Sequence, residues 1–262
     1  MPCVAECPIT MHEEVAPGHY RIAVHAPEIA RAAKPGQFAM LEVAPGYAPF
    51  LRRPMSFERI FGDGVSFLVK VEGEGTRLLA RLAAGQALSV QGPLGNGFSI
   101  ENAYERHILV AGGIGVAPLP ALAEALIPLG SRAPEVIVAA RNERLLLCED
   151  EFRQMGCVVH VATDDGTAGE KALATEMIEG LDPAPGTCVY ACGPMPMLAA
   201  VAKMMIARNV DCQVSLEARM ACGDGACLGC VVESKGEREG GDMVLVCTDG
   251  PVFDAGVIDW DR

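Results

Sequence analysis

The sequence predicts a three-part protein of class β plus α/β, because three stretches of the chain follow different patterns. Residues 1–102 contain short β-type runs broken by Gly and Pro, such as Tyr20–His25 and Val65–Glu72, which is typical of a small antiparallel barrel. Residues 103–212 alternate apolar strand runs with helical segments, a pattern that predicts a doubly wound parallel sheet. Residues 213–262 are rich in Cys and Gly and predict a small third domain.

The first domain carries two short motifs that suit a phosphate-bearing cofactor. Arg53 could clamp a phosphate with its planar guanidinium, and Ser56 could donate a hydrogen bond to a flavin ring nitrogen. Gly75 and Thr76 offer a backbone amide and a hydroxyl to a pyrophosphate at the start of the next helix. Each motif has an ordinary alternative, since arginines are usually surface charges and Gly-rich pieces are usually turns.

The second domain opens on a turn of the nucleotide-binding kind. The strand run His107–Ala111 leads into Gly113 and Gly115, and Pro118 stands where a helix would start. Glycines let the backbone approach a pyrophosphate, although proline replaces the third glycine of the usual dinucleotide motif, so an ordinary tight turn remains an alternative. Cys192-Gly193-Pro194 forms a second turn at the end of another strand. Two such turns at the carboxyl ends of strands predict a ligand-binding crevice.

The third domain contains the cysteine spacing of an iron–sulfur site. Cys222, Cys227 and Cys230 follow a C-x4-C-x2-C pattern, and Cys247 follows after sixteen more residues. This is the plant-type ferredoxin spacing, in which four thiolates bind the two irons of a [2Fe–2S] cluster. The intervening glycines allow a tight loop and leave backbone N–H groups to face the sulfurs. Structural zinc usually shows two C-x2-C-like pairs, which fits this spacing less well.

Composition narrows the class of function. A formal net charge of −13 over 262 residues argues against nucleic acid or an anionic membrane surface as a partner. No apolar run approaches the ~18 residues of a membrane span, and the start of the chain lacks the basic and apolar regions of a signal peptide. The chain has eleven cysteines, and the cluster motif among them indicates a reducing compartment. We therefore expect a cytoplasmic protein.

Together these motifs resemble the ferredoxin–NADP reductase superfamily and, within it, the electron-transfer subunits of NAD-linked (class 1B) dihydroorotate dehydrogenases. The resemblance covers nearly the whole chain, and its most specific part is Arg219–Cys227 together with Cys247–Phe253. The other matching pieces are Arg53-Pro-Met-Ser56, Gly75-Thr76, Gly113–Pro118 and Cys192-Gly-Pro194. In many members an aromatic residue precedes the serine, whereas here Met55 does.

This resemblance implies an antiparallel FAD-binding barrel, a doubly wound nucleotide-binding domain and a small [2Fe–2S] domain. The residues that it implies for FAD are Arg53, Pro54, Met55, Ser56, Leu68, Val69, Lys70, Gly75 and Thr76. Those that it implies for NAD as co-substrate are Gly113, Gly115, Cys192, Gly193 and Pro194. The implied cluster ligands are Cys222, Cys227, Cys230 and Cys247.

The resemblance also implies a partner and a route for electrons. An FMN-containing catalytic subunit would oxidise dihydroorotate in pyrimidine biosynthesis, and the electrons would pass through the cluster and FAD to NAD+. FAD must lie between, because nicotinamide exchanges a two-electron hydride whereas the cluster passes one electron at a time. This route needs no acid–base pair or nucleophile in this chain, so we assign no catalytic residue. The simplest complex contains two copies of each subunit.

Four alternatives remain open at this stage. The corresponding flavin and iron–sulfur subunit of an electron-bifurcating transhydrogenase or hydrogenase shares the same three parts. Some of those relatives replace one cluster cysteine with aspartate, so the four cysteines here favour the dihydroorotate version. The others are a redox sensor, which would not need both nucleotide crevices, an iron–sulfur protein with a vestigial flavin site, and a self-sufficient NADH reductase.

The choice between NAD and NADP is not decided by the motifs. Arg141 follows the second strand of the nucleotide domain, where a cation would bind a 2′-phosphate, while Asp164 and Asp165 would repel one. The resemblance favours NAD.

Overall fold

The computed structural model describes residues 2–44, 46, 49–100, 104–129, 132–235 and 243–261. The N-terminal region contains six strands, which are β1 Cys3–Ala16, β2 His19–His25, β3 Phe38–Leu41, β4 Arg53–Phe61, β5 Gly64–Lys70 and β6 Ala87–Leu94. They close into an antiparallel barrel in the order β1-β2-β5-β4-β3-β6, which confirms the predicted fold of this region. Two short helices, α1 (Pro27–Ala32) and α2 (Glu74–Leu79), connect the strands.

The barrel interior is filled by apolar side chains from alternating strand positions. Phe67 pairs with Ile22 on one side and with Phe57 on the other, and all three are fully buried. The rings of Phe57 and Phe67 lie 5.5 Å apart. Because side chains alternate along a strand, the residues between these positions face outward or toward the second domain.

The rest of the chain contains eight strands and four helices in the described residues. The strands are β7 Arg106–Gly112, β8 Glu135–Ala140, β9 Val158–Thr163, β10 Thr187–Cys192, β11 Asp211–Ser215, β12 Val231–Glu233, β13 Met243–Leu245 and β14 Val252–Asp254. The helices are α3 Leu119–Leu126, α4 Glu149–Gln154, α5 Ala174–Gly180 and α6 Met195–Arg208. None of these helices is long and apolar enough to span a bilayer.

Six of these strands form one sheet in the order β14-β11-β10-β7-β8-β9. The pairs from β11 to β9 are parallel, as predicted, and β14 joins antiparallel at the edge. The C-terminal region therefore contributes a strand to the nucleotide-domain sheet, and β11 runs across the expected division at residue 212. β12 and β13 form a separate two-stranded sheet.

The sheet is covered on both faces, which explains its continuous apolar strand runs. On β7, Ile108 and Val110 pack into the core that includes α5 and α6. Leu109 and Ala111 pack into the opposite core, with α3 and Phe152 of α4. Pro118 stands at the start of a helix as predicted, since it is the N-cap of α3, and the glycines before it form a 3-10 turn at Gly113–Val116.

Candidate functional site

A cleft of about 220 Å³ lies where the barrel, the sheet and the C-terminal segment meet. One wall comes from β3, β4 and β5, the opposite wall from the turns after β7 and β10, and a third side from residues 216–220. The lining residues are Phe38, Pro54, Met55, Ser56, Leu68, Lys70, Glu72, Thr76, Ile114, Ala117, Pro118, Cys192, Leu216, Glu217, Ala218, Met220 and Pro251.

The cleft brings together part of the expected cofactor residues. Those that line it are Pro54, Met55, Ser56, Leu68, Lys70, Thr76 and Cys192. Those that do not line it are Arg53, Val69, Gly75, Gly113, Gly115, Gly193 and Pro194. Val69 points into the barrel core, so only its backbone faces outward. The sequence analysis did not identify Phe38, Glu217 or Pro251 as cleft residues. No local motif marks these positions, and they reach the cleft only through contacts with distant strands.

Arg53 and Gly75 lie against each other beside the cleft. A Cβ atom at Gly75 would stand 2.5 Å from Nε of Arg53, so glycine leaves room for the guanidinium in this position. Nη1 of Arg53 donates to the carbonyl oxygens of Leu51 and Arg52. Within the described residues Nε and Nη2 have no acceptor, and these donors suit a phosphate oxygen.

The Thr76 hydroxyl has a structural partner that the sequence did not indicate. It accepts the backbone N–H groups of Glu72 at 2.9 Å and Gly73 at 3.1 Å, and it donates to the Gly73 carbonyl at 3.2 Å. The hydroxyl therefore closes the turn before α2. Nearby, Lys70 Nζ forms an ion pair with Glu72 at 2.5 Å.

The two nucleotide-type turns contact each other at the point where the strand order reverses, between β7 and β10. A Cβ atom at Gly115 would lie 2.5 Å from the Cys192 carbonyl oxygen and 2.5 Å from Cα of Gly193. Only glycine permits this approach, which forms the crevice that a doubly wound sheet uses for ligands.

Two ionisable groups in the cleft have shifted pKa values. Burial, and secondarily Glu217, raises the pKa of Cys192 to about 12, so the side chain is a thiol at neutral pH. Desolvation in the cleft, followed by the Glu72 carboxylate, raises the pKa of Glu217, while Lys70 opposes the shift. The cleft thus holds a carboxylate in a site that disfavours its charge.

The residues considered for NADP discrimination lie side by side. Arg141 follows β8, and Asp164 and Asp165 follow β9. The N–H groups of Asp164 and Asp165 donate to the carbonyls of Ala140 and Arg141 at 3.1 and 3.2 Å. All three side chains are exposed, so this edge of the sheet presents a cation and two carboxylates together.

The four expected cluster ligands form two pairs. The sulfurs of Cys222 and Cys227 are 3.3 Å apart at the surface. Cys230 and Cys247 are 3% and 1% exposed, and the Cys247 N–H donates to the Cys230 sulfur at 3.4 Å. In the described part of the chain no group of three or more His, Cys, Asp or Glu side chains is arranged for a single metal ion. Two thiol pairs suit a binuclear cluster with two thiolates on each iron.

Backbone N–H groups point at the outer sulfurs. The Gly229 N–H donates to Cys227 and the Cys227 N–H donates to Cys222, both at 3.4 Å. The Gly229 N–H foremost, followed by the backbone and the thiol of Cys222, lowers the pKa of Cys227 to about 7. Burial, and secondarily Cys230, raises the pKa of Cys247 to about 12. The outer thiol therefore ionises readily, whereas the inner one needs a metal to hold it as thiolate.

The loop of residues 222–230, which carries three of the four thiols and is called the cluster loop below, packs on β3, and β3 also lines the cleft. Gly223 has φ +80, and a Cβ atom there would lie 2.7 Å from Cγ of Met40 on β3. Phe38, two residues earlier on β3, lines the cleft. Met220 also lines the cleft and stands two residues before Cys222. Two segments of chain, β3 and residues 220–222, thus connect the thiols to the cleft.

Comparisons with known proteins agree with this geometry. Residues 217–259 match the iron–sulfur cluster binding domain of dihydroorotate dehydrogenase B, and residues 109–203 match the oxidoreductase NAD-binding domain. The proteins named dihydroorotate dehydrogenase B (NAD(+)), electron transfer subunit, from Bacillus mycoides and Bacillus cereus are each 36% identical over 256 residues. That is 95% of this chain and 96% of each relative.

Solved structures show the same fold. A chain of the NADH-dependent reduced ferredoxin–NADP oxidoreductase, solved for insight into flavin-based electron bifurcation, has a TM-score of 0.85 at 29% identity. The match covers 98% of this chain and 91% of that chain. Phthalate dioxygenase reductase has a TM-score of 0.66 at 18% identity over 93% of this chain and 94% of its own, which shows the fold alone.

The resemblance seen in the motifs is confirmed, because 36% identity extends over nearly the whole length of both proteins. The chain is an oxidoreductase subunit for electron transport in pyrimidine biosynthesis, with an NAD-binding domain and an iron–sulfur cluster binding domain. The bifurcating alternative has no better support than this one. The chain belongs to the family of NAD-linked dihydroorotate dehydrogenase B electron transfer subunits.

Proposed function

We propose that this chain carries electrons from an FMN-containing, dihydroorotate-oxidising partner to NAD+, with FAD in the cleft and a [2Fe–2S] cluster on the four cysteines. When bound, FAD supplies the exchange between single electrons and hydride. The proposal divides the chain into residues 1–102, 103–212 and 213–262. The observation that best supports the proposal is that β3 joins the two sites, because its Phe38 lines the cleft and its Met40 packs on the cluster loop.

The barrel residues would hold FAD by contacts of three kinds. Arg53 has two donors without an acceptor in the described residues, which suit a phosphate, and Gly75 leaves space for its guanidinium. The cleft-lining segment from Pro54 to Ser56, with Leu68 and Lys70, would face the flavin ring. Met55 would provide a polarizable surface in place of an aromatic ring. Val69 and Thr76 would contribute mainly through their backbone.

The opposite wall would hold NAD. Gly113 and Gly115 would let the backbone approach the pyrophosphate. Cys192, Gly193 and Pro194 would line the nicotinamide end, because Cys192 is buried beside the cleft. Its raised pKa keeps it a neutral thiol, so we propose a packing role for it and no nucleophilic step.

The cluster would be held by Cys222, Cys227, Cys230 and Cys247, with N–H donors on the outer sulfurs. The partner would dock at this loop. Cys227 is exposed, and the neighbouring Leu228 is 63% exposed at φ +57, a conformation that is strained for a residue with a side chain. The relatives' name, electron transfer subunit, supports a separate catalytic partner, and we propose that the complex contains two copies of each subunit.

We also propose that the protein works in the cytoplasm. All eleven cysteines lie in the described residues, and none of them forms a disulfide. A chain with this many thiols, four of them suited to iron, fits a reducing compartment.

Reconstitution tests the proposal. The chain alone should reduce dye acceptors with NADH and should not oxidise dihydroorotate, whereas adding the FMN-containing catalytic subunit should give dihydroorotate-dependent NAD+ reduction. Mass measurement of the complex by light scattering should give two copies of each chain. Dihydroorotate oxidation by the chain alone would contradict the proposal. Co-purification with a hydrogenase or a large bifurcating flavoprotein would favour the bifurcating alternative, which the 29% identical oxidoreductase structure makes worth testing.

A further inference from the structure

One arginine joins the barrel to the nucleotide domain outside the cleft. Nε of Arg21 on β2 donates to both carboxylate oxygens of Glu58 on β4, at 2.8 and 3.1 Å. Its Nη2 donates to Glu151 in the first turn of α4 at 2.5 Å. Nη1 reaches Glu13 on β1 at 3.1 Å. A single guanidinium thus contacts carboxylates from both domains.

The centre of this ionic cluster is buried and tightly specified. Glu58 is 0% exposed, and it also accepts the Ser66 hydroxyl at 2.9 Å and the Cys148 thiol at 3.7 Å. Cys148 immediately precedes α4 and has φ 62, which is strained for a residue with a side chain. Burial raises the pKa of Glu58, and the charge of Arg21 opposes that shift. Buried ionic groups contribute little net stability, so the contribution to expect from this cluster is a specific orientation of α4.

The ionic cluster lies beside the cleft, because directly paired residues of neighbouring strands project from the same face of the sheet. Arg21 pairs across the strands with Leu68, which lines the cleft, and Glu58 stands two residues after Ser56. The opposite wall of the cleft, including Cys192, belongs to the nucleotide domain. The separation between the two walls therefore depends on how the nucleotide domain sits on the barrel.

We infer that Arg21 is a positioning residue, which sets the separation of the two cleft walls by holding α4 against the barrel through Glu58 and Glu151. The inference depends on the proposed function, since it concerns the approach of nicotinamide to flavin. A second ion pair, between Arg59 on β4 and Glu124 on α3, joins the same two domains. This second ion pair lies nearer the surface, so it holds the two domains together but fixes their relative orientation less strictly.

The substitution Glu151→Gln tests the inference, because it removes the charge across the interface and keeps the size of the side chain. Glu149→Gln is the matched control, since Glu149 lies on the same helix and pairs within it, with Arg153 at 2.9 Å. In cofactor-free protein, Glu151→Gln should speed deuterium exchange of residues 146–156 several-fold. In loaded protein it should slow FAD reduction by NADH, per bound FAD, by about three- to tenfold, with KM for NADH changed by less than about twofold. Glu149→Gln should do neither.

Arg21→Lys is the second variant, because lysine keeps the charge but lacks the fork that reaches several carboxylates at once. It should lose at least as much rate per bound FAD as Glu151→Gln, with an unchanged cluster EPR signal. Equal exchange and equal rates in wild type and Glu151→Gln would overturn the inference, as would equal losses in Glu149→Gln. A wild-type protein whose FAD is not reduced by NADH would overturn the proposed function. The exchange measurement on cofactor-free protein would then still decide whether Arg21 holds α4.

Discussion

The cluster loop and the cleft are built in opposite ways. Three of the four thiols come from one short segment, and their N–H partners, Cys227 and Gly229, belong to the same loop. The cleft instead collects Phe38, Cys192 and Glu217 from parts of the chain that are far apart in sequence. The cluster site should therefore lose its cluster completely when one ligand is removed. The cleft should instead bind its cofactor progressively less tightly as single contacts are lost.

The largest effect is expected at the cluster. Cys227→Ser should abolish the visible cluster absorption and the reduced-state EPR signal, because one thiolate of the set is gone, while the FAD content stays unchanged. Cys192→Ser in the cleft is the matched control and should keep both cluster signals. A normal [2Fe–2S] spectrum in Cys227→Ser would show that the ligand set is wrong.

The next effect is expected at the phosphate end of the cleft. Arg53→Ala should weaken FAD binding by roughly 1.5–3 kcal/mol, the usual contribution of a charge-assisted hydrogen bond, measured as FAD retained after dialysis. Arg52→Ala is the control, since Arg52 binds Glu42 and Ser89 within the barrel, each at 3.0 Å. It should lower the melting temperature and keep FAD. Unchanged flavin content in Arg53→Ala would mean that Arg53 is only a surface charge.

The packing of the cluster loop on β3 can be tested by a substitution in the loop. Gly223→Ala places a Cβ atom 2.7 Å from Met40 Cγ at φ +80, so it should lower the free energy of unfolding by about 1–3 kcal/mol. Because Met40 lies beside Phe38 in the barrel, the flavin absorption spectrum should also shift. Gly229→Ala, where the added Cβ lies 3.5 Å from the Cys227 sulfur, should leave the flavin spectrum as it is. A flavin spectrum unchanged in both variants would argue against this packing.

The smallest effect concerns Glu217, and its sign follows from its raised pKa. The folded-state pKa lies above the ordinary value of 4.5, so ionisation of Glu217 destabilises the folded protein as pH rises above 4.5. Below that pH both states are protonated and the cost vanishes. Glu217→Gln in cofactor-free protein should therefore be more stable than wild type at pH 7, by less than about 1 kcal/mol because the side chain is exposed to solvent. The difference should disappear near pH 4 in melting curves, and equal melting temperatures at pH 7 would contradict this.

Much of the fold follows from patterns that act over short distances along the chain. The predicted strand runs Tyr20–His25 and His107–Ala111 lie within β2 and β7, because apolar periodicity and the flanking residues determine them locally. The cysteine spacing predicts the thiol set in the same way. The edge strand β14 was not predicted, since its partner β11 lies far from it in sequence.

The site was only partly predictable for the same physical reason. Sequence motifs indicated Ser56, Thr76 and Cys192, all of which line the cleft, but they did not indicate that the Thr76 hydroxyl closes its own turn. Phe38 and Glu217 carry no local signal and reach the cleft only when the domains dock. That docking depends on burial and on the Arg21 ionic cluster, in which partners from distant segments must meet in one geometry. Spacing and periodicity in this chain therefore indicate the proposed ligands and the elements, whereas tertiary packing decides which elements meet around the cleft.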